Sequence, residues 1–91
     1  MNANDEMKEL EISSINMMSH DYKVRFVAEY IQLKVRANKL ERMLRDWDNG
    51  NLSFTPTNPR SLLNMQLRAM REYEAILEIR AQIEGINLDS K

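Results

Sequence analysis

The chain has 91 residues, 30% of them charged, with a formal net charge of −1 and no cysteine. That length fits one small domain; the missing cysteine excludes a disulfide framework and thiolate zinc sites, and the near-neutral balance gives no chain-wide field for nucleic acid, a membrane surface or DNA mimicry. Two glycines and two prolines in a chain of mixed charge are the profile of a helical protein with a charged surface.

Residues 1–18 hold four acids and one lysine, net −3. They read as an acidic N-terminal extension in which Met7, Leu10 and Ile12 allow a short amphipathic turn or two. Ile15, Met17 and Met18 favour docking over full disorder. Acids stand where a signal peptide would carry cations, and no apolar run reaches the ~18 residues of a membrane span. The expected location is the cytoplasm.

A helical hairpin domain is expected over residues 19–85, with helices at about 19–47 and 59–84. Ser19 is placed to cap the first helix, with Asp21 in its first turn. Phe26, Tyr30, Leu33, Ala37, Leu40, Leu44 and Trp47 follow in steps of four and three, a heptad seam. A second stripe, Val24, Val27, Ile31 and Val35, calls for a second neighbour, which points to a bundle or an oligomer. Asp48, Asn49 and Gly50 stop the helix. A polar loop at 48–58 follows, and Asn58 before Pro59 marks the restart as an N-cap with proline at the first helical position. Gly85 ends the second helix. Residues 86–91 form a tail in which Ile86 and Leu88 can dock.

The connection between these helices favours an antiparallel hairpin. Levelling Trp47 with Pro59 sets Leu40 near Gln66, Leu33 near Tyr73 and Phe26 near Arg80, with Glu29 within a turn of Arg80. The hairpin would be about 40 Å long. Two helices of that length enclose no core, so the fold class expected is all-α, a long hairpin completed as a helical bundle by homo-oligomerisation, most simply a four-helix dimer.

One stripe of the second helix is unusual. Gln66, Met70, Tyr73, Leu77 and Arg80 recur at helical spacing, yet three of the five carry polar groups. Two readings remain open: a buried network with Glu29 that fixes register, or a pocket. Arginine, glutamine and tyrosine together can hold a phosphate and stack on a base.

The pattern Gln66-Leu67-x-x-Met70-x-x-Tyr73-x-x-x-Leu77-x-x-Arg80, preceded by Glu29, Leu33, Lys39 and Leu40, resembles a family of small phage and prophage proteins related to a protein of a crAss-like phage. The resemblance spans about residues 22–84. It implies a phage accessory protein inside a bacterial host and no assigned activity.

Nothing in the chain marks catalysis. His20 is the lone histidine, and no nucleophile and base stand in a recognisable pattern. Asp46-x-Asp48-x-Gly50 fails as a calcium loop, since Asn51 and Thr57 occupy the positions of its glycine and its bidentate glutamate. No metal site and no cofactor are expected. Arg36, Lys39, Arg42 and Arg45 make the second half of the first long helix basic, either as charges suited to a helix C-terminus or as an anion-facing surface. Long helices and a long connection argue against sequence-specific DNA reading. Trp47 and Phe54 either plug the hairpin's open end or, with Met65, anchor a partner.

These readings converge on a non-catalytic binding protein that assembles with itself. Three roles fit: stoichiometric capture of a host defence protein, which leads; sequestration of a small anionic nucleotide messenger; or a structural, scaffolding part of the phage programme.

Overall fold

The computed structural model describes residues 3–89, which form three helices and no strand: α1 (Ala3–Asn16), α2 (Tyr22–Asp48) and α3 (Arg60–Glu84). The outermost residues of the expected extension and tail, 1–2 and 90–91, lie outside this span. The all-α class and the antiparallel hairpin of α2 and α3 are present, and the molecule extends 43 Å along its longest axis. α2 is the middle element. It packs against α1 on one side and α3 on the other, and α1 does not touch α3.

The acidic leader is therefore part of the bundle and not an extension. Its first turn carries Asp5 and Glu6, which complement the helix dipole. The α2 face bearing Gln32, Val35 and Arg42 receives it. Gln32 Nε2 donates to the Leu10 carbonyl at 3.0 Å, to Ser13 Oγ at 2.7 Å and to Ser14 Oγ at 3.2 Å. Ala28, Val35 and Ser13 are sealed at about 1% exposure, which small side chains permit by letting the helix axes approach. The second neighbour of α2 is thus α1 of the same chain, while Val27 of the predicted second stripe packs against the hairpin core. Each chain brings three helices, so a dimer of such chains would hold six helices and not the four of two bare hairpins.

Helix boundaries shift by one cap each. Asp21, not Ser19, caps α2, its carboxylate accepting from the Lys23 N–H at 2.9 Å, while Ser19 Oγ accepts from the Asp21 N–H. A carboxylate at that position satisfies an orphan amide and meets the positive end of the helix together. Pro59, with extended backbone at ψ 146, is the N-cap of α3, so Asn58 does not serve as one. The Pro59 carbonyl instead takes the Leu62 and Leu63 amides. Gly85 ends α3 in the left-handed region at φ 69, where a β-carbon would be strained. That turn sends the Ile86 amide back to the Ala81 carbonyl at 2.8 Å.

Ile86 then enters the core beside Phe26, Tyr30, Leu77 and Ala81, with Val27, Leu33 and Leu88 packed around them. The core of the hairpin therefore sits at the end where α2 begins and α3 finishes. The loop end is held differently: Arg60 grips Asp48 through Nε at 3.1 Å and Nη2 at 2.9 Å, lies 6.0 Å from the Trp47 ring and also bonds Asn64.

Candidate functional site

The register of the hairpin sets Phe26 against Arg80, whose guanidinium carbon lies 5.0 Å from the ring centroid. Tyr22, one turn earlier, meets Phe26 edge to face at 6.1 Å. Its hydroxyl accepts from Arg80 Nη2 at 3.1 Å and donates to Glu84 Oε1 at 2.6 Å. Arg80 Nε reaches Glu84 Oε2 at 3.4 Å. A guanidinium thus rests on an aromatic face with a phenol and a carboxylate beside it, about half exposed.

The electrostatics follow from these contacts. The bond to Glu84 pushes the Tyr22 phenol above its usual range. Desolvation works against the Arg80 charge, but the Tyr22 hydroxyl and the Glu84 carboxylate outweigh it, so its pKa is raised. Arg80 stays cationic. Its Nη1 makes no hydrogen bond among the described residues, which leaves donors for an added acceptor.

Glu29 is not the partner of Arg80. Tyr22 and Glu84 occupy that role, and Glu29 makes no side-chain hydrogen bond or ion pair among the described residues. The same register that pairs Phe26 with Arg80 places Tyr22 level with Glu84, so the correct pair was readable one turn further on. The polar stripe is not buried either. Gln66, Tyr73 and Arg80 are all exposed, whereas Leu77 is fully buried and Met70 partly so. The stripe runs along a shoulder of α3, with its polar members two turns apart, about 10 Å by helical rise.

The staple expected of Arg80 is supplied by Arg71. Its Nη2 bonds Glu41 at 2.5 Å and Asn38 at 3.0 Å on α2, and its Nη1 bonds the buried Glu74 at 2.8 Å. A second polar tie is buried at Tyr30, whose hydroxyl donates to Glu78 at 2.5 Å. Burial and then the Glu78 carboxylate push that phenol well above its usual range.

The basic half of α2 does not form an open anion surface throughout. Arg42 is engaged by Glu6 at 2.5 and 2.8 Å, a pair whose contact raises the arginine and lowers the carboxylate. Arg36 donates to Gln32 Oε1 at 3.2 and 3.3 Å. Lys39 and Arg45 remain exposed. The acidic leader facing the basic helix was the sequence signal for this. At the loop end Trp47 is partly buried under Arg60, while Phe54 and Met65 are exposed. His20 is exposed, and among the described residues no cluster of three or more His, Asp or Glu is spaced to hold a metal ion. No helix among them is long and apolar enough to cross a membrane.

No curated protein and no solved structure matches the chain. A family model described as Sequestin matches residues 20–83, which takes in α2, the loop and nearly all of α3 and leaves out α1. The match covers the hairpin that carries Arg80, Tyr22 and Tyr73, and by it the chain belongs to the Sequestin family.

Proposed function

We propose that this protein acts by stoichiometric sequestration, without catalysis, of a small anionic nucleotide messenger held at Arg80, with Tyr22 beside it and Tyr73 two helical turns along the same shoulder of α3. The observation that carries the reading is the Arg80 guanidinium, set on the Phe26 ring and fixed by Tyr22 while half exposed. A preoriented cation with free donors binds phosphate, and neighbouring aromatic rings stack on a base. The family's description, Sequestin, fits a protein that binds and holds. The resemblance to phage and prophage proteins supports the reading that this binding serves in a bacterial host, where removing a messenger would silence a defence.

Native mass spectrometry of the protein drawn from bacterial lysate, followed by calorimetric titration with mononucleotides and cyclic dinucleotides, tests this. A retained or titrated phosphate ligand that Arg80→Ala loses supports it. Binding of nucleotides unchanged by Arg80→Ala, or no binding to any of them, sinks it.

A second reading has its own observation. Phe54 and Met65 are exposed near the loop end that Trp47 and Arg60 close. Large apolar side chains in that setting anchor protein interfaces, so capture of a host defence protein is the alternative. It predicts that Phe54→Ala loses protection of phage in defended cells while nucleotide titrations stay flat.

A further inference from the structure

α1 docks on α2 through a face with little apolar surface. Met7, Ile12 and Ile15 are 54%, 58% and 71% exposed, while Glu6 and Ser13 are buried. Leu10 is the one apolar member of the docked stripe Glu6, Leu10, Ser13, and it is only partly covered. A helix held by apolar burial would turn Ile12 and Ile15 inward. The receiving stripe of α2 explains the choice. Ala28, Gln32, Val35, Lys39 and Arg42 follow in strides of four and three. The first half of that stripe is small and close-packed, and the second half is cationic. Arg42 holds the Glu6 carboxylate with both terminal nitrogens, and the charge of the exposed Lys39 acts on the same carboxylate.

We propose that α1 is a displaceable occupant, and that this face of α2 binds an acidic helix of a partner protein with the pattern of α1: a carboxylate, an apolar residue four positions on and a small residue three beyond that. This surface is independent of Arg80. Three observations favour a helix as the occupant. The first is shape. Ala28 and Val35 are sealed at about 1% exposure opposite Ser13, a fit that two closely approaching helices give. A free anion at Arg42 would leave that apolar ground and the Gln32 amide uncovered. Charge is the second. Lys39 and Arg42 meet the carboxylate, with Arg36 and Arg45 flanking them and Asp46 the acid that acts on Arg42 from its own helix. The balance draws in an acidic helix and repels a basic one. The third is ease of exchange. A 14-residue helix is marginal in isolation, and α1 packs on α2 alone, so its release leaves the core of Phe26, Tyr30 and Leu77 in place. A partner helix of the same pattern remakes the Arg42 and Gln32 bonds that α1 gives up. Because α1 is tethered, it competes at high local concentration and screens out acidic helices that match the face less well than it does.

A fluorescein-labelled peptide of residues 3–18 serves as the acidic-helix probe, titrated into the full chain by anisotropy. Hydrogen exchange is read by NMR on ¹⁵N-labelled chain with unlabelled peptide, so that only the chain's own α1 is seen. Glu6→Gln in the protein weakens its own α1 and leaves the face intact, so the peptide is expected to bind that variant about tenfold more tightly than wild type. The same substitution in the peptide is expected to cost about tenfold. Bound peptide should quicken exchange through the chain's α1 while the amides around Leu77 stay protected, the reverse of what a ligand does to an element it binds. Arg80→Ala is expected to bind the peptide as wild type does; a loss there would place the peptide on α3 and overturn the proposal. Absence of binding to the Glu6→Gln chain overturns it too, as does binding that leaves α1 exchange unchanged. Tripolyphosphate at equal ionic strength is the last arm. If it quickens α1 exchange as the peptide does, a bare anion suffices and a partner helix is not the occupant.

Discussion

The Glu6 carboxylate accepts hydrogen bonds from both terminal nitrogens of Arg42, at 2.5 and 2.8 Å, although 36 residues separate them. Glu6 is buried and Arg42 is half exposed, so one charge of the pair depends on the other for its solvation. Removing the arginine strands the carboxylate. A fully buried pair broken this way costs ~3–5 kcal/mol, and the exposure of Arg42 reduces that, so Arg42→Ala should cost about 1–2 kcal/mol. Urea denaturation of the variant against the wild type measures it; a change below about 0.3 kcal/mol would show that α1 docks without the pair.

The same pair sets a pH dependence. Arg42 holds the Glu6 carboxyl below its ordinary value of 4.5. The unfolded chain therefore binds the proton first as pH falls, and the pair's stabilisation is present in full above that ordinary value. It fades as pH drops through the lowered folded value. The stability gap between wild type and Glu6→Gln should be constant near neutrality and close in acid. Urea midpoints measured across the acid range would refute this if the gap widened there.

Gln32 is the second clasp on α1. Its amide nitrogen serves the Leu10 carbonyl and the Ser13 and Ser14 hydroxyls, and its oxygen accepts from Arg36. Gln32→Leu leaves the Leu10 carbonyl and the buried Ser13 hydroxyl with fewer partners, at a cost of about 1–3 kcal/mol. The loss should be local first. Hydrogen exchange is expected to quicken through α1 while the amides around Leu77 keep their protection. Uniform acceleration over all three helices would show α1 to be part of one cooperative unit.

The hairpin was legible because its signals are repetitive. Seam residues from Phe26 to Trp47, the Gly85 stop and the level pairing of Trp47 with Pro59 each fix many neighbours at once, and Phe26 does meet Arg80. α1 was harder to read. Its apolar residues are few, and it is held by Glu6 and Gln32, polar contacts that leave no periodic trace. The Arg80 site was legible only in part. Arginine was placed at the correct level, but a long side chain chooses among several carboxylates within reach, and Glu84 and Tyr22 won over Glu29 by proximity on the same edge.

Arg71 and Arg80 separate the structural arginine from the binding one. Arg71 ties α2 to α3 and solvates the buried Glu74, which raises its own pKa. Arg71→Ala should lower stability by about 1.5–3 kcal/mol through the stranded carboxylate. Arg80→Ala should melt close to wild type, because Arg80 and its partners are exposed and such surface contacts add little stability. Thermal melts of both variants check the contrast; equal losses would make Arg80 a staple after all.

Glu84 sharpens the nucleotide reading, because it competes for the arginine that a phosphate would need. It accepts from Arg80 Nε at 3.4 Å, a long bond, and from the Tyr22 hydroxyl at 2.6 Å, a short one. An incoming phosphate must therefore share Arg80 with a carboxylate whose firmer tie is elsewhere. Glu84→Gln keeps the shape and the bond to Tyr22 while removing the competing charge. Phosphate ligands should then bind about three- to tenfold more tightly, the equivalent of about 0.7–1.4 kcal/mol, with the difference shrinking at high salt as the repulsion is screened. Calorimetric titration of AMP and cyclic di-AMP into both proteins, at low and high salt, reads this directly. Weaker binding in Glu84→Gln would mean that the carboxylate orients Arg80 for the ligand and does not compete with it.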